Sequence, residues 1–272
     1  MMKKRIKVMY VFLLFVTITN AQTNNLKIAT FNIQNFGLKK IEMKEVVDTL
    51  VMIVRQFDIV AVQEVSDASN YTAGAFLKEI NKSGAQYKMV CSERTGLQPD
   101  DNNSREQYAF YYNTATVTLT DKALYDDSEN DYFQREPYIA QFRRKTDGFV
   151  FVLCTIHTTP DVAVEEIAAL IHVAEWIPGR FSNSAYQIYC GDFNASCSYA
   201  SPLQLESLAF HKKPYCWVVP DDTKTNLSKN TCAYDRFVIT SNLLSRKAGW
   251  GVYRFFKSKA VSDHWPVFLE LK

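Results

Sequence analysis

Ile188-Tyr189-Cys190-Gly191-Asp192-Phe193-Asn194 runs from an apolar stretch directly into a carboxylate and an amide. Three other segments, far apart along the chain, also end an apolar run in an acidic or imidazole side chain: Ile59–Glu64, Leu153–His157 and Val261–His264. Apolar runs of this length are typical of buried strands, and folds place reactive groups where such strands end. The four segments therefore predict a sheet-based fold with a polar site at the ends of several strands.

The side chains at these strand ends suit metal-assisted hydrolysis of a phosphate ester. Carboxylate and amide oxygens are ligands of hard divalent cations, and imidazoles transfer protons near neutral pH. Asp192 and Asn194 are two residues apart and face the same side of an extended chain, although a turn closed by Asx hydrogen bonds fits them equally. Glu64 follows an apolar run and either binds a metal or caps a neighbouring backbone.

Two of the four histidines stand where a general acid and a general base would be needed. His157 ends an apolar strand, and His264 follows Asp263, which faces the opposite way in an extended chain. His172, in mid-helix, and His211, in a basic loop, are expected to be structural or solvated.

Asp235 is a further candidate, because it enters the strand Phe237–Thr240. A carboxylate that accepts from an imidazole fixes the tautomer of that imidazole and raises its basicity. Arg236 beside it offers the alternative of a structural ion pair.

Residues 1–21 are predicted to be a signal peptide and residues 22–272 the mature domain. The apolar run Val8–Thr19 is shorter than the ~20 residues that a spanning helix needs, and it follows four basic residues, Lys3, Lys4, Arg5 and Lys7. We therefore expect export to the periplasm or the medium, without stable membrane association. Removing these four from 31 basic and 29 acidic side chains leaves 27 minus 29, or −2, so net charge does not argue for nucleic acid binding.

The mature chain is predicted to form one α+β domain. Helices are expected at Ile41–Phe57, after an N-cap at Asp161, and at Pro202–Phe210. Strands are expected at Leu26–Ile33, Asp58–Glu64, Tyr108–Tyr112, Thr116–Thr120, Tyr138–Phe142, Phe149–His157, Tyr186–Gly191, Tyr234–Thr240 and Pro266–Leu271. Because helices are few and separated by several strands, two sheets packed face to face with helices outside are favoured.

Six cysteines in an exported chain permit disulfides. Cys197 and Cys232 lie in polar, turn-rich segments and are the preferred pair. Cys154 and Cys190 lie inside apolar strands, where a free cysteine is usually a small buried hydrophobe. For Cys91 and Cys216, the sequence leaves open whether they form a disulfide or stay free.

Taken together, these segments resemble the endonuclease/exonuclease/phosphatase superfamily, and within it the deoxyribonuclease I branch. The superfamily pattern appears in Phe31-Asn32, Gln63-Glu64, the strand ending at His157, Gly191-Asp192-Phe193-Asn194 and Ser262-Asp263-His264. The branch is indicated by longer matches at 26–37, Arg135-Glu136-Pro137, 192–199 and Cys232-Ala233-Tyr234-Asp235-Arg236. The resemblance implies a four-layer αββα sandwich of two mainly antiparallel sheets. It also implies metal-dependent hydrolysis of DNA phosphodiesters with low sequence specificity.

The resemblance also implies a role for each matched residue. Asn32, Glu64 and Asp263 would form the cluster that binds Mg²⁺ or Mn²⁺. Asp192 and Asn194 would hold the scissile phosphate or a second cation.

Proton transfer is implied at two imidazoles. His157, oriented by Glu106, would be the general acid for the leaving oxygen. His264, oriented by Asp235, would be the general base that activates water. Each such group contributes on the order of 10²–10⁴ in rate.

The remaining matches concern phosphate contacts and a disulfide. Arg135 and Tyr199 resemble phosphate-contacting residues of the family. Cys197 and Cys232 match its structural disulfide. No cofactor besides metal is expected, and the protein is expected to act as a monomer on DNA.

Several positions depart from the branch. Ser66 and Ser104 replace an Arg and a Tyr that the family inserts into the minor groove, and Gln34 replaces an Arg. Loss of these groups removes minor-groove packing, so the choice between duplex and single-stranded DNA stays open.

The calcium loops of the family are matched only in part. Asp126, Asp127 and Asp131 retain carboxylates for a structural Ca²⁺. Lys224 stands where the second loop usually supplies an acidic ligand.

Two alternative functions compete with DNA cleavage. The same machinery acts on sphingomyelin or inositol phosphates in other members of the superfamily. A catalytically silent binding module would have lost metal ligands or one of the two histidines, and this chain retains the complete set.

Overall fold

The computed structural model describes residues 25–96 and 105–272. The predicted signal peptide and Ser104 lie outside these residues. The strands are β1 Leu26–Phe36, β2 Ile59–Val65, β3 Tyr87–Cys91, β4 Gln107–Asn113, β5 Val117–Leu124, β6 Tyr138–Arg144, β7 Val150–His157, β8 Gln187–Asp192, β9 Tyr215–Trp217, β10 Asp235–Thr240, β11 Lys247–Val252 and β12 Val267–Leu271. The α-helices are α1 Leu38–Ile41, α2 Lys44–Val54, α3 Thr72–Asn81, α4 Ala163–Arg180 and α5 Pro202–Ser207.

These strands form two sheets of six. The first has the order β11-β12-β1-β2-β4-β3 and the second β5-β6-β7-β8-β10-β9. Pairing is antiparallel except at the centre of each sheet, where β1 pairs with β2 and β7 with β8 in parallel. Because parallel strands end at the same edge, each sheet presents two carboxyl-terminal strand ends side by side.

Three apolar clusters show how the layers are stacked. One cluster lies between the sheets and takes Ile28 from the first and Leu153 from the second. A second joins the outer face of the first sheet to α2 and α3. A third joins the outer face of the second sheet to α4. This is the predicted αββα sandwich, and the fold prediction is confirmed.

The alternation along β1 explains why polar residues reach the space between the sheets. Leu26 and Ile28 face this space, so Thr30 and Asn32, which have the same parity, face it too. The apolar core between the sheets ends at this level, where the Gln63 amide donates to the Thr30 hydroxyl at 3.0 Å. The same amide reaches the Thr155 hydroxyl of the other sheet at 2.8 Å. Beyond this polar layer lies the mouth of the sandwich.

The predicted elements differ from the structure mainly at their ends. The helix expected at Ile41–Phe57 corresponds to α2, which begins only at Lys44 because Met43 has a non-helical backbone, and the short α1 precedes it. Asp161 does not cap α4; it lies in a 3-10 turn, and α4 begins at Ala163. The sequence did not predict α3, β3, β9 or β11; the three strands lie at sheet edges, where alternation is weak.

Candidate active site

The ends of β1, β2, β7 and β8 bring distant residues together at the mouth of the sandwich. The Asn32 amide donates to Asp192 Oδ2 at 3.0 Å and to Glu64 Oε1 at 2.8 Å. His157 is the register partner of Asp192 across the parallel pair β7–β8. The strand-end residues singled out in the sequence therefore lie at one place.

Gly191 permits the close approach of β7 and β8 at this point. Its φ is +146°, and a Cβ there would lie 1.8 Å from the Ile156 carbonyl oxygen. A larger residue would push apart the strands that carry His157 and Asp192. This requirement explains the glycine in the Gly-Asp-Phe-Asn motif.

A carboxylate and a guanidinium position His157. Its Nδ1 lies 2.7 Å from Glu106 Oε1, and the same oxygen lies 3.0 Å from Arg135 Nε. Burial lowers the pKa of His157, but Glu106 and Asp192 together outweigh it and raise the pKa above its ordinary value. Arg135 also donates to the His157 carbonyl at 3.0 Å and is buried. It therefore supports His157 directly, and the phosphate contact implied by the resemblance stays a prediction.

His264 has a matching arrangement on the other side of the mouth. Its Nδ1 lies 2.8 Å from Asp235 Oδ2, and both residues are buried. Burial alone lowers the pKa of His264, but Asp235, Asp192 and Asp263 raise it to about 10. Burial raises the pKa of Asp235, while His264 acts against that shift. In either charge state a proton lies between Nδ1 and Oδ2, so Nε2 is left to face the mouth.

Asp192 stands between the two imidazoles. Its Oδ2 lies 3.8 Å from His157 Nε2 and 3.5 Å from His264 Nε2. Burial would raise its pKa, but the two histidines, the Asn32 amide and the backbone N–H of Asn194 lower it below the ordinary value. The result is a nearly symmetrical His–Asp–His centre with one carboxylate behind each histidine.

The predicted metal ligands lie at the ends of β1 and β2 and next to His264. Glu64 has a left-handed backbone, with φ of +61°, and its Oε2 accepts from the Asn35 N–H at 2.7 Å. Such strain in a non-glycine residue is typical of functional sites. Asp263 is half-buried next to His264. The carboxylates of Glu64 and Asp263 match the donors that Mg²⁺ prefers, so the residues fit a divalent cation.

Two details qualify the metal site. The Asn32 oxygen accepts from the Gln34 N–H at 2.8 Å, so its amide nitrogen, not its oxygen, faces Glu64 and Asp192. A reversed amide would present the oxygen instead, and the two orientations have the same shape. Asp192, Asp235 and His264 also have ligand atoms within 4.8 Å of one another. In that group the shared Nδ1–Oδ2 proton favours proton transfer over metal binding.

The loop that follows β8 contains Asn194, Tyr199 and one cysteine of the disulfide. The buried Asn194 has φ of +46°, and its amide donates to the Thr158 carbonyl at 2.8 Å. Tyr199 is exposed, and its ring centroid lies 5.6 Å from that of Tyr234. Cys197 and Cys232 form a disulfide, as predicted. Cys154 and Cys190 are buried and free, and Cys91 and Cys216, left open by the sequence, are also free.

Comparison with known proteins agrees with this geometry. The model of the Endonuclease/Exonuclease/phosphatase family matches residues 29–264. Human Deoxyribonuclease-1 is 35% identical over 267 residues, covering 91% of this chain and 93% of that protein. The chain belongs to this family, in its deoxyribonuclease I branch. As a member of the branch it is a hydrolase.

Other relatives and solved structures support the same family. Mouse Deoxyribonuclease gamma is 31% identical over 269 residues, covering 91% of this chain and 84% of that protein. An endonuclease/exonuclease/phosphatase family protein from Bacteroides thetaiotaomicron superposes with a TM-score of 0.62 at 19% identity, covering 91% of this chain and 97% of that chain. The human Nocturnin catalytic domain gives 0.62 at 14% identity, covering 91% and 93%. The structural matches show the fold alone.

Two residues of this family member belong to the site but were not singled out by the sequence. Lys40 donates to the carbonyls of Ile33 at 2.7 Å, Gln34 at 2.6 Å and Val261 at 3.1 Å. It thereby joins the end of β1 to the segment before Asp263. Burial lowers the pKa of Lys40 to about 8, against the attraction of Glu64 and Asp263. Because its partners are backbone carbonyls from two distant segments, no side-chain pattern points to it.

Tyr234 is the second such residue. Its ring centroid lies 6.0 Å from that of His264 and 5.6 Å from that of Tyr199, with the rings tilted in both pairs. Its place directly before Asp235 was a signal in the sequence that could have identified it.

Among residues 25–96 and 105–272, no helix is long and apolar enough to cross a membrane.

The raised pKa of His264 predicts how stability depends on pH in chelator-treated protein. The imidazole titrates near 6.5 when unfolded and near 10 when folded. Its contribution to stability is therefore complete below pH 6.5 and is lost as pH rises through about 10. We expect the melting temperature to fall over this range, and to fall less steeply in His264→Gln. The measurement is the melting temperature by calorimetry at several pH values in this range. An equal fall in wild type and His264→Gln would contradict the raised pKa of His264.

Proposed function

We propose that this chain is an exported, Mg²⁺- or Mn²⁺-dependent endonuclease that hydrolyses DNA phosphodiester bonds with low sequence specificity. One observation carries the proposal: two carboxylate-backed imidazoles face each other across Asp192, beside oxygen ligands for a cation. The names of the relatives, deoxyribonuclease 1 and gamma, support DNA as the substrate over sphingomyelin or inositol phosphates.

In the mechanism we propose, His264 takes a proton from the attacking water. Nε2 is the atom that faces the mouth, because Nδ1 is engaged with Asp235. Asp235 then stabilises the imidazolium that forms, so the proton taken from water stays on Nε2.

His157 supplies a proton to the leaving oxygen. Glu106 holds Nδ1, and together with Asp192 it raises the pKa of His157, which favours the protonated ring that a general acid needs. Arg135 keeps Glu106 and the His157 backbone in place. The two halves of the centre are so alike that the choice of acid and base comes from the family resemblance; a comparison of substrates with different leaving groups tests it.

Glu64, Asp263 and Asn32 would hold the cation. When bound, it supplies positive charge that polarises the phosphate and offsets the carboxylates that raise the pKa of His264. Asp192 and Asn194 would orient the phosphate between the imidazoles. Tyr199, exposed beside this position, is proposed as a further phosphate contact.

The first calcium loop is proposed to bind a structural Ca²⁺. Asp127 is only 7% exposed, its Oδ2 accepts from the Phe133 N–H at 2.7 Å, and its buried Oδ1 has no partner among the described residues. Burial raises the pKa of Asp127, and the nearby Asp131 and Asp126 raise it further. A buried, unsatisfied carboxylate oxygen among like charges suits a cation with oxygen ligands. In the second loop the Lys224 ammonium donates to the Lys229 carbonyl at 3.4 Å, so no such ion is proposed there.

Calcium is therefore expected to raise the melting temperature of the protein. Binding of an ion only to the folded state stabilises that state by mass action, by about 2.7 kcal/mol at a hundredfold excess over Kd. Asp127→Asn should abolish most of the increase, whereas the exposed Glu129→Gln should retain it. An equal calcium shift in wild type and Asp127→Asn in scanning calorimetry would rule out this site.

Export is proposed from the predicted signal peptide at residues 1–21 and the mature domain at 22–272. The Cys197–Cys232 disulfide supports an oxidising compartment such as the periplasm or the medium. Expression of the full chain in a bacterial host, followed by fractionation and mass determination of the mature amino terminus, tests this.

The nuclease activity itself is tested on supercoiled plasmid with residues 22–272. Nicking is expected with Mg²⁺, not with EDTA, and again after Mg²⁺ is restored. Glu64→Gln should require more Mg²⁺, because one of the proposed ligands loses its charge. A folded wild-type protein that leaves the plasmid intact under all conditions would refute the proposal, and phospholipid and inositol phosphodiesters would be tried next.

A further inference from the structure

Charge is distributed unequally on the two sides of the mouth. Behind His157, residues 126–136 carry five acidic side chains and one basic one. Beside His264, residues 223–231 and 253–260 carry five basic side chains and no acidic one. Since the mature chain has a net charge of 27 minus 29, or −2, this is a local feature and not general basicity.

Three of these basic residues, Lys224, Lys229 and Arg254, lie on segments that are attached to the site; we call them the basic rim. Their two segments contact each other, because the Arg254 guanidinium donates to the Lys224 carbonyl at 2.8 Å. The guanidinium also lies 5.4 Å from the ring of Trp265, the residue after His264.

The loop that carries Lys224 and Lys229 is attached to the candidate catalytic segment by its backbone. Leu227 N–H donates to the Asp263 carbonyl at 2.7 Å, and Trp265 N–H donates to the Thr225 carbonyl at 2.8 Å. Asn226 forms a bridge with His264. The disulfide at Cys232 joins the same loop to Cys197, after β8. A displacement of the rim relative to His264 would therefore break several backbone hydrogen bonds.

The rim cations are available to a ligand. Within residues 25–96 and 105–272, none of the three forms an ion pair with a carboxylate, although Arg236 close by is paired with Asp221 at 2.7 Å. Lys229 and Arg254 are exposed, and Lys224 is half-buried. Unpaired cations beside a phosphodiesterase site attract a polyanion whose phosphates continue past the scissile bond.

We propose that the basic rim binds backbone phosphates of DNA that lie outside the scissile position, on the His264 side of the mouth. This inference rests on the proposed function and adds the path of the substrate. The rim cations attract the strand to the His264 side of the mouth, so the rim determines in which direction the duplex extends. Because Lys and Arg contact phosphates and not bases, the binding would be independent of sequence.

The test is the salt dependence of catalysis. The triple variant Lys224→Gln/Lys229→Gln/Arg254→Gln is compared with wild type in Mg²⁺ over a range of KCl concentrations, using a DNA duplex and bis(4-nitrophenyl) phosphate. We expect kcat/KM for DNA to fall roughly tenfold or more at low salt, and the slope of log kcat/KM against log salt to become shallower by about 2 to 3, because each lost phosphate contact removes about 0.9. Hydrolysis of the small diester, which does not reach the rim, should stay within about twofold of wild type.

A matched control removes the same charge at the other end of the strands. Lys88, Arg143 and Lys145 are exposed there, far along β3 and β6 from the mouth. The variant Lys88→Gln/Arg143→Gln/Lys145→Gln should keep the wild-type slope, because its phosphate contacts are unchanged.

A single variant guards against disturbance of the loop. The side chain of Lys229 has no hydrogen bond or ion pair within the described residues, so Lys229→Gln removes only charge. Its slope should be shallower by about 0.9. Equal slopes for wild type, the rim variants and the control, with DNA still cleaved, would overturn the rim proposal and leave the nuclease intact. Hydrolysis of the small diester without any cleavage of DNA by wild type would instead refute the proposed function.

Discussion

Replacement of His264 by alanine is expected to slow hydrolysis of DNA and of bis(4-nitrophenyl) phosphate alike, by on the order of 10²–10⁴. In the proposed mechanism His264 accepts the proton of the attacking water, and that step is needed whatever group leaves. The expectation rests on Nε2, which faces the mouth while Nδ1 is bound to Asp235. The measurement is kcat for both substrates at saturating Mg²⁺.

The control addresses folding, because His264→Ala leaves the buried Asp235 without its partner. Circular dichroism and calorimetry establish whether the variant is folded. Added imidazole should restore part of its activity by entering the space left by the side chain. Wild-type rates in a folded His264→Ala protein would exclude His264 as the base.

Replacement of His157 by alanine is expected to separate the two substrates. Cleavage of DNA should fall by on the order of 10²–10⁴, because the leaving sugar oxygen is a strong base that needs a proton. Hydrolysis of bis(4-nitrophenyl) phosphate should fall by roughly tenfold or less, because 4-nitrophenolate leaves without protonation. The ratio of the two losses, measured as kcat under the same conditions, identifies the general acid.

This comparison also decides which histidine of the nearly symmetrical centre is the general acid and which is the general base. His157 Nε2 and His264 Nε2 lie 3.8 Å and 3.5 Å from the same Asp192 oxygen, so distances alone assign neither role. If His264→Ala separated the substrates and His157→Ala slowed both, the acid and the base would be exchanged. Glu106→Gln and Asp235→Asn should follow the pattern of the histidine each supports, with smaller losses, because they act through it.

The candidate site was largely accessible from the sequence because its residues stand at the ends of apolar runs. An apolar run predicts a buried strand, and the polar residue that ends it predicts a position at the mouth of the fold. His157, Asp192 and Glu64 were identified in this way. The predicted partner pairs His157–Glu106 and His264–Asp235 are contacts in the structure, at 2.7 Å and 2.8 Å. Their roles in catalysis stay predictions.

Arg135 has contacts in the structure that the resemblance does not imply. The guanidinium lies against Glu106 and the His157 carbonyl, and its phosphate contact stays a prediction. A guanidinium has five donors, and the sequence cannot show how many are engaged by its own protein. In the same way, the edge strands β3, β9 and β11 were missed, since edge positions lack the continuous apolar pattern of central strands.

Apolar periodicity and short motifs are local properties of the chain, so the two-sheet class, the strand-end residues and the family could be predicted from the sequence. The Lys40 contacts and the unequal charge beside the two histidines became visible only in the folded chain. Lys40 contacts carbonyls separated from one another by more than 200 residues, and the basic rim combines two segments with no common motif. Backbone partners and long-range packing leave no periodic trace in a sequence, so these features exist only once the chain is folded.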